Sequence, residues 1–457
     1  MKKILLFSCM FFALVVQAQD NKWTEYPTGQ SAASTGINSM SIVDANVTWL
    51  SMACGTTGCT TIRRYSKTSN GGLTWSTGVI DLGASSTSLQ VSNIHGVSAD
   101  VAYISASPRA GESAIGGVWK TINGGSTWER QATASFNDGA SFANVVYFWN
   151  ENEGVAMGDP VGGYFEIYTT TNGGTNWTRV PSSASLVPVS DLDYGLTDQF
   201  TVTGNTIWAG TTAGRVLKST NKGVTWSVSQ APIPDFGGGL AGSESGCMAY
   251  TDQNNGILTT SDWQVFQTTD GGATWGPSLV WTGQLRNFDV AAIPGVPNTY
   301  VATGQDLDSG VTRGSSYSTD GGQTWVDIND NPDENYVQGS KIKFLSSTVG
   351  FAGGFSTSAA VGGIYKWNGV ELLSAKTFSG DKTIVASPNP TTGNLDLTGK
   401  NISNVVVFDV LGKQVMNSNY TSLSKVSLNL TGFNSGIYMV KVTNTAGAVS
   451  TLKIVKK

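Results

Sequence analysis

The sequence predicts an all-β protein, a seven-bladed β-propeller followed by a small immunoglobulin-like β-sandwich. Three observations carry this. An eight-residue pattern recurs six times, about fifty residues apart. The stretches between copies are short apolar runs rich in Val, Ile, Phe, Tyr and Thr, bounded by Gly, Asn, Asp and Ser. Residues 380–457 lack both the pattern and tryptophan, and alternate apolar with polar residues between turn signals. A repeat of about 40–50 residues built from short strands is the mark of a ring of blades.

The copies read TSNGGLTW (68–75), TINGGSTW (121–128), TTNGGTNW (170–177), STNKGVTW (219–226), TTDGGATW (268–275) and STDGGQTW (318–325). Each has the chemistry of a tight turn between strands. The acceptor side chain (Asn70, Asn123, Asn172, Asn221, Asp270, Asp320) can take hydrogen bonds from backbone N–H groups just downstream. The glycine two residues on (Gly72, Gly125, Gly174, Gly223, Gly272, Gly322) suits a positive φ. The tryptophan (Trp75, Trp128, Trp177, Trp226, Trp275, Trp325) opens the next strand with a large apolar face. Asn176 replaces Thr in the third copy and Lys222 replaces Gly in the fourth. These octets resemble the Asp-boxes, or BNR repeats, of sialidases and other propellers. In that family the boxes sit on outer turns away from the catalytic face, so the resemblance implies a structural role for all of these residues.

One period before Trp75 lies Trp23, in NKWTEYPTG, which resembles the strands that follow boxes. GGIYKWNGV, 362–370, resembles the strands that lead into them. The expectation is a seventh blade made from both chain ends, with inner strands from about 341–369 and an outermost strand from about 22–27. Such closure leaves the ring without a free edge. The expected domains are a signal peptide over 1–18, the propeller over 19–375, a linker over 376–386 and the sandwich over 387–457.

Lys2 and Lys3 precede the apolar stretch Ile4 to Val16, and Val16-Gln17-Ala18 resembles a signal peptidase site. That stretch is too short to span a membrane, and nothing later is long and apolar enough. Residues 380–457 hold eight Lys against three Asp, a net charge of +5, so residues 19–379 carry about −12 within the chain total of −5. The acidic balance argues against nucleic acid as a partner.

Pro388, Asn389, Pro390 and Gly393, then Asp409 and Gly412, then Gly436, Ile437, Tyr438 and a Lys-rich end resemble the type A C-terminal sorting domain of the Bacteroidetes type IX secretion system. The resemblance implies the type IX machinery as a partner, with a destination at the outer-membrane surface or outside the cell. Cysteine usage agrees with that address. Cys54 and Cys59 bracket GTTG and can form a small disulfide, leaving Cys247 as a buried small hydrophobe.

Catalytic motifs are sparse. His95 is the only histidine, in an innermost strand, and reads as a core or channel-lining residue. Three cysteines and one histidine make no zinc site, and no cofactor is expected. A sialidase needs three arginines on a substrate carboxylate. Of eight arginines, Arg63, Arg64, Arg130, Arg179 and Arg215 lie in strands or beside boxes, leaving Arg109, Arg286 and Arg313 for the opposite face. Asp159, Asp193, Asp198, Asp235, Asp306 and Asp308 are candidate acids there, but no spacing singles out a pair. Trp263 and Trp281 are the better surface aromatics. The binding residues expected are therefore Arg109, Asp159, Trp263, Arg286, Asp306 and Arg313, with the loops 180–199, 229–246 and 328–340 around them.

The blade GVAMGDP…YTTTNGGTNW also resembles the repeats of photosystem II stability/assembly factor-like proteins, non-enzymatic propellers that bind other proteins. The preferred expectation is a monomeric, exported propeller that binds an extracellular protein or glycan. The alternative is a polysaccharide-active glycoside hydrolase using a carboxylate pair. A structural surface-layer component is a third reading.

Overall fold

A computed structural model describes residues 22–55, 62–237, 245–304, 314–328, 341–369, 384–409, 413–445 and 449–457. The expected signal peptide lies outside the described residues. The chain divides into two compact units, Met1–Glu371 and Leu372–Lys457. Among the described residues the only helical elements are two short 3-10 turns, Gly83–Ser88 and Ala184–Leu186.

The strands of the first unit fall into seven antiparallel blades, each running from an innermost strand outward. Blade 1 is Thr35–Ile42, Thr48–Cys54, Arg64–Thr68 and Ser76–Val79. Blade 2 is Leu89–Gly96, Ala102–Pro108, Gly117–Thr121 and Glu129–Arg130. Blade 3 is Ala143–Phe148, Gly154–Val161, Tyr164–Thr170 and Thr178–Arg179. Blade 4 is Gly195–Thr203, Thr206–Thr211, Arg215–Ser219 and Ser227–Gln230. Blade 5 is Gly246–Tyr250, Gly256–Thr260 and Val265–Thr268. Blade 6 is Asp289–Ala292, Tyr300–Gly304, Gly314–Ser318 and Thr324–Asp327, with Thr282–Gly283 added in parallel at its outer edge. Blade 7 is Ile342–Ser346, Val349–Ser358 and Val361–Trp367.

The N-terminal strand Trp23–Pro27 pairs antiparallel with Val361–Trp367 and completes blade 7 from outside, with Trp23 opposite Trp367. The Trp23 ring packs 4.9 Å from that of Trp367, and its indole N–H donates to Ser315 Oγ of blade 6 at 2.9 Å. Each innermost strand packs on the next, and Ile342–Ser346 returns to Thr35–Ile42, so the ring is closed. Blade 5 departs from the expected four strands. After its octet, Gly276 and Leu279 still donate to Gln267 and Val265 at 2.9 and 2.8 Å. Pro277 between them has no N–H to give, so no regular ladder forms.

All six octets share one geometry. The acceptor Asn or Asp takes the N–H four residues on, at Thr74, Thr127, Asn176, Thr225, Thr274 and Thr324, at 2.9–3.0 Å. The leading Thr or Ser, whose part is not evident from sequence, accepts the N–H of the second glycine at 2.8–3.0 Å. Both positions after the acceptor are left-handed, so Lys222 sits at φ 58° where the other copies have glycine.

The octets also join blades. Tyr65 and Lys67 of blade 1 donate to the Gly124 carbonyl of blade 2 at 3.1 and 3.3 Å. Tyr103 and Lys120 of blade 2 donate to Gly173 of blade 3, both at 2.8 Å. Trp208 reaches Gly271 at 2.8 Å and Gln267 reaches Gly321 at 2.6 Å. Blade 3 has Thr169 where Lys67 and Lys120 stand, and the joint to blade 4 is reversed. There Lys222 itself reaches back to Glu153 of blade 3, at 2.5 Å.

The second unit is a sandwich. The first half of Asn394–Phe408 pairs with Val385–Ser387 and with the end of Gln414–Asn429. Its second half pairs with the start of Gln414–Asn429 and with Gly436–Asn444, which pairs in turn with Val449–Lys456. A register break between Thr398 and Ile402 interrupts the pairing of the two long strands. Leu395, Leu397, Val405, Val407, Leu428, Val440 and Ile454 form the core. Val385–Ser387 begins inside the segment expected as linker, because Val385 and Ala386 pair with Thr398 and Leu397.

Candidate functional site

The two faces of the ring are distinguished by their turns. In each of the six blades that carry an octet, the turn between the first and second strands and the octet share one face. Backbone N–H groups of Gly71, Gly124, Gly173, Lys222, Gly271 and Gly321 donate to carbonyls of Asn46, Asp100, Asn152, Asn205, Asn254 and Asn298 in those turns. The opposite face is built from the second-to-third-strand turns and the connections between blades.

One connection on that face is held with unusual firmness. Residues 184–194, from blade 3 to blade 4, wrap the guanidinium of Arg215, itself only 4 % exposed. Arg215 donates to Asp193 Oδ2 at 2.5 Å, to the Val187 carbonyl at 2.9 Å and to the Ser185 carbonyl at 3.0 Å. Asp193 Oδ2 also accepts the Val189 N–H at 3.1 Å. The Thr212 hydroxyl donates to the Leu192 carbonyl at 2.5 Å and accepts the Tyr194 N–H at 2.8 Å. This frame turns apolar side chains outward. Val189 is 68 % and Leu192 63 % exposed, with Val187 and Tyr194 also exposed. The sequence marks 180–199 as a long loop, but Arg215 reads there as an ordinary strand residue, and its anchoring role emerges only in the fold.

The expected binding residues that are described, Arg109, Asp159, Trp263 and Arg286, lie on this face but in separate places. Arg109 donates to the Thr87 carbonyl at 3.0 Å. Asp159 accepts Asn144 Nδ2 at 2.8 Å and the Gly195 N–H at 3.0 Å, joining blades 3 and 4. Burial pushes its carboxyl up to about 6 against those two bonds. Trp263 sits at φ 71°, half-buried, and its carbonyl accepts the Trp281 indole N–H at 2.8 Å. Arg286 is buried against Asp327 at 3.1 Å. Asp306, Asp308 and Arg313 fall outside the described residues. Cys54 is disulfide-bonded, and its expected partner Cys59 also falls outside them.

The channel along the ring axis carries a second polar system. Asp198 stands at φ 55° in a strand irregularity between Gly195 and Phe200, which turns its carboxylate inward. Across the ring, Lys341 Nζ of blade 7 meets Asp198 Oδ2 at 3.2 Å, and Ser39 Oγ of blade 1 donates to Asp198 Oδ1 at 2.9 Å. Asp289 Oδ2 of blade 6 accepts the Ile342 N–H at 2.9 Å, with Cys247 of blade 5 beside it. Burial opposes the charge on Lys341, but Asp198 and Asp289 outweigh it and raise its pKa. Burial raises both Asp289 and the Cys247 thiol. Cys247 is a free, half-buried thiol that lines the channel and packs against the core between blades 5 and 6. Its neighbourhood is charged because strand alternation points it inward beside the first residue of blade 6. His95 lines the channel, as expected for an innermost strand.

Residues 386–457 match the family model described as a secretion system C-terminal sorting domain. The chain ends in a sorting domain. It is exported by type IX secretion to the cell surface or the extracellular space. In this domain Asn389 clamps the last strand, donating to the Lys453 carbonyl at 2.8 Å and accepting the Val455 N–H at 2.9 Å. Gly393 has no room for a Cβ beside Thr431, and Tyr438 donates to the Asn434 carbonyl at 2.9 Å. Gly412 lies outside the described residues. The propeller fold is shared with two solved structures. One is YCF48 from Cyanidioschyzon merolae, 18 % identical over 76 % of this chain and 99 % of that one, with a TM-score of 0.53. The other is YCF48 bound to D1 peptide, 16 % identical over 76 % of this chain and 97 % of that one, with a TM-score of 0.50. No curated protein matches significantly. Among the described residues no helix is long and apolar enough to cross a membrane.

Proposed function

We propose that the exported propeller is a recognition module that binds a protein partner on the face opposite the octets, with Val187, Val189, Leu192 and Tyr194 as its apolar contact. The observation that carries this is the Arg215 anchor. Burying an arginine and an aspartate is costly unless the charges are paired and fully bonded. Here the pair orders a loop whose outward residues are aliphatic. Exposed Val and Leu on a rigid frame suit the apolar core of a protein interface. Sugar rings are held by flat aromatic faces, and Tyr194 is the only aromatic among these four. A propeller of the same fold has been solved with a peptide bound, so the architecture is compatible with such a partner.

The hydrolytic alternative draws less support. Asp159, Asp193 and Asp198 are each engaged by the hydrogen bonds or ion pairs above, and Asp235 Oδ1 accepts the Gly237 N–H at 2.7 Å. The test compares the exported chain with a Val189→Asp/Leu192→Asp variant, both offered to surface proteins of the producing cells and to a glycan array. Retention of one defined protein by the parent and not by the variant supports the reading. Equal retention, or glycan binding with product release, overturns it.

A further inference from the structure

The innermost strands enclose a cavity of about 430 Å³ that none of the foregoing uses. Its mouth is set by Gly204, Pro294 and Gly295, in first-to-second-strand turns, and by Leu345 near the end of an innermost strand, and so opens on the octet face. Its deep end is the Ser39–Asp198–Lys341 brace, together with Cys247 and Asp289. A cavity of a few hundred Å³ with a few convergent polar groups is the size of a small-molecule site.

Two lysines of blade 7 face this space, Lys341 just before the innermost strand and Lys343 within it. Lys341 is neutralised by Asp198. Lys343, nearer the mouth, takes part in none of the ion pairs among the described residues. Its contact is the ring of Phe200, 5.1 Å from Nζ. Among the described residues the nearby carboxylates make their direct contacts elsewhere, Asp198 with Lys341 and Ser39, and Asp289 with the Ile342 and Val290 N–H groups, while Lys343 acts on Asp289 only through space. The wall beside Lys343 is aromatic. Tyr147 packs 4.4 Å from His95 and 5.9 Å from Phe200, centroid to centroid. Burial and the Lys343 charge push His95 down to about 3, despite its hydrogen bond to the Phe148 backbone. The imidazole is therefore neutral, and the positive charge of this wall belongs to Lys343.

Lys343 thus presents a half-buried ammonium to the cavity, with an aromatic ring and no carboxylate in direct contact with it among the described residues. We propose that this cavity binds a small organic carboxylate, with the carboxylate on Lys343 and the apolar body against Phe200 and Tyr147. Inorganic anions lack the apolar body, and cations find no free carboxylate. The site opens on the opposite face from the protein contact proposed above and stands or falls separately from it.

The test is calorimetric titration of the full exported chain with benzoate and hexanoate, using inorganic phosphate and benzyl alcohol as controls. Expected are one site per chain for the carboxylates, at least tenfold weaker binding by Lys343→Met, and near-parental binding by Lys343→Arg. Acetylation of Lys343 in the unaltered protein, mapped by mass spectrometry, should be slowed by benzoate; this readout does not depend on any variant folding. No saturable binding of either carboxylate overturns the proposal. So does unchanged affinity in Lys343→Met, or phosphate or benzyl alcohol binding as tightly as benzoate.

Discussion

Replacing Lys341 by Met removes the cation that joins blade 7 to blade 4 across the channel. Asp198 keeps Ser39 but loses its ion-pair partner, and Asp289 keeps its backbone donors and the charge of Lys343 but loses that of Lys341. Breaking a buried pair from one side costs about 3–5 kcal/mol, because the remaining charge is stranded. The sign of the pH dependence follows from the same groups. Lys341 has a folded pKa above its ordinary value, so its stabilisation is complete below about pH 10.4 and fades as pH rises through the folded value. Asp289 is raised by burial, so the native state holds its proton more tightly, and stability falls as pH climbs from about 4 through its folded pKa. Without Lys341 that rise is larger. The variant should therefore lose more stability at pH 8 than at pH 5, where its carboxylates can take up protons. Urea unfolding followed by tryptophan fluorescence reads this cleanly, because all 14 tryptophans precede residue 380 and the signal reports the propeller alone. A loss under about 1 kcal/mol at pH 8, the range of an exposed ion pair, would refute the brace. An equal loss at both pH values would refute the linkage.

Four further substitutions probe the frame. Gly125→Ala should cost at least about 2 kcal/mol, combining left-handed strain of about 1–2 kcal/mol with overpacking, since its Cβ would lie 2.5 Å from the Tyr65 ring at φ 91°. Gly124→Ala should cost less, because its nearest neighbour is the movable end of Lys67; chemical denaturation of both compares them. Trp23→Ala should cost about 3–5 kcal/mol and open the ring at the outer edge of blade 7, seen as faster proteolysis there than in the parent. Arg215→Met should strand Asp193 at a cost of about 3–5 kcal/mol, with hydrogen exchange rising within 184–194 while the blade 1 amides stay protected.

Much of the fold was legible because its signals are local. The octets carry their own turn chemistry, Asn70 with Thr74 or Asp270 with Thr274. Their spacing counts the blades, and the displaced Trp23 segment announces the closing strand. Even so, Lys67 and Lys120 read as ordinary strand lysines, and only the packing of adjacent blades shows them capping the next turn. Expected site residues such as Arg109, Asp159 and Arg286 share a face, but each is bonded within its own surroundings, and nothing in their spacing could have told that.

The repeat, the turn geometry, the closing strand and the export signal at the C-terminus can all be read along the chain, because each shows as a short motif or as the recurrence of one. What fills the ring and what faces outward cannot. Ser39 and Asp198 are 159 residues apart, and Arg215 and Asp193 lie in different elements. Those pairs exist because ring closure brings distant inner strands to one axis and folds a connection onto a blade edge. No local pattern encodes a distance that closure alone sets.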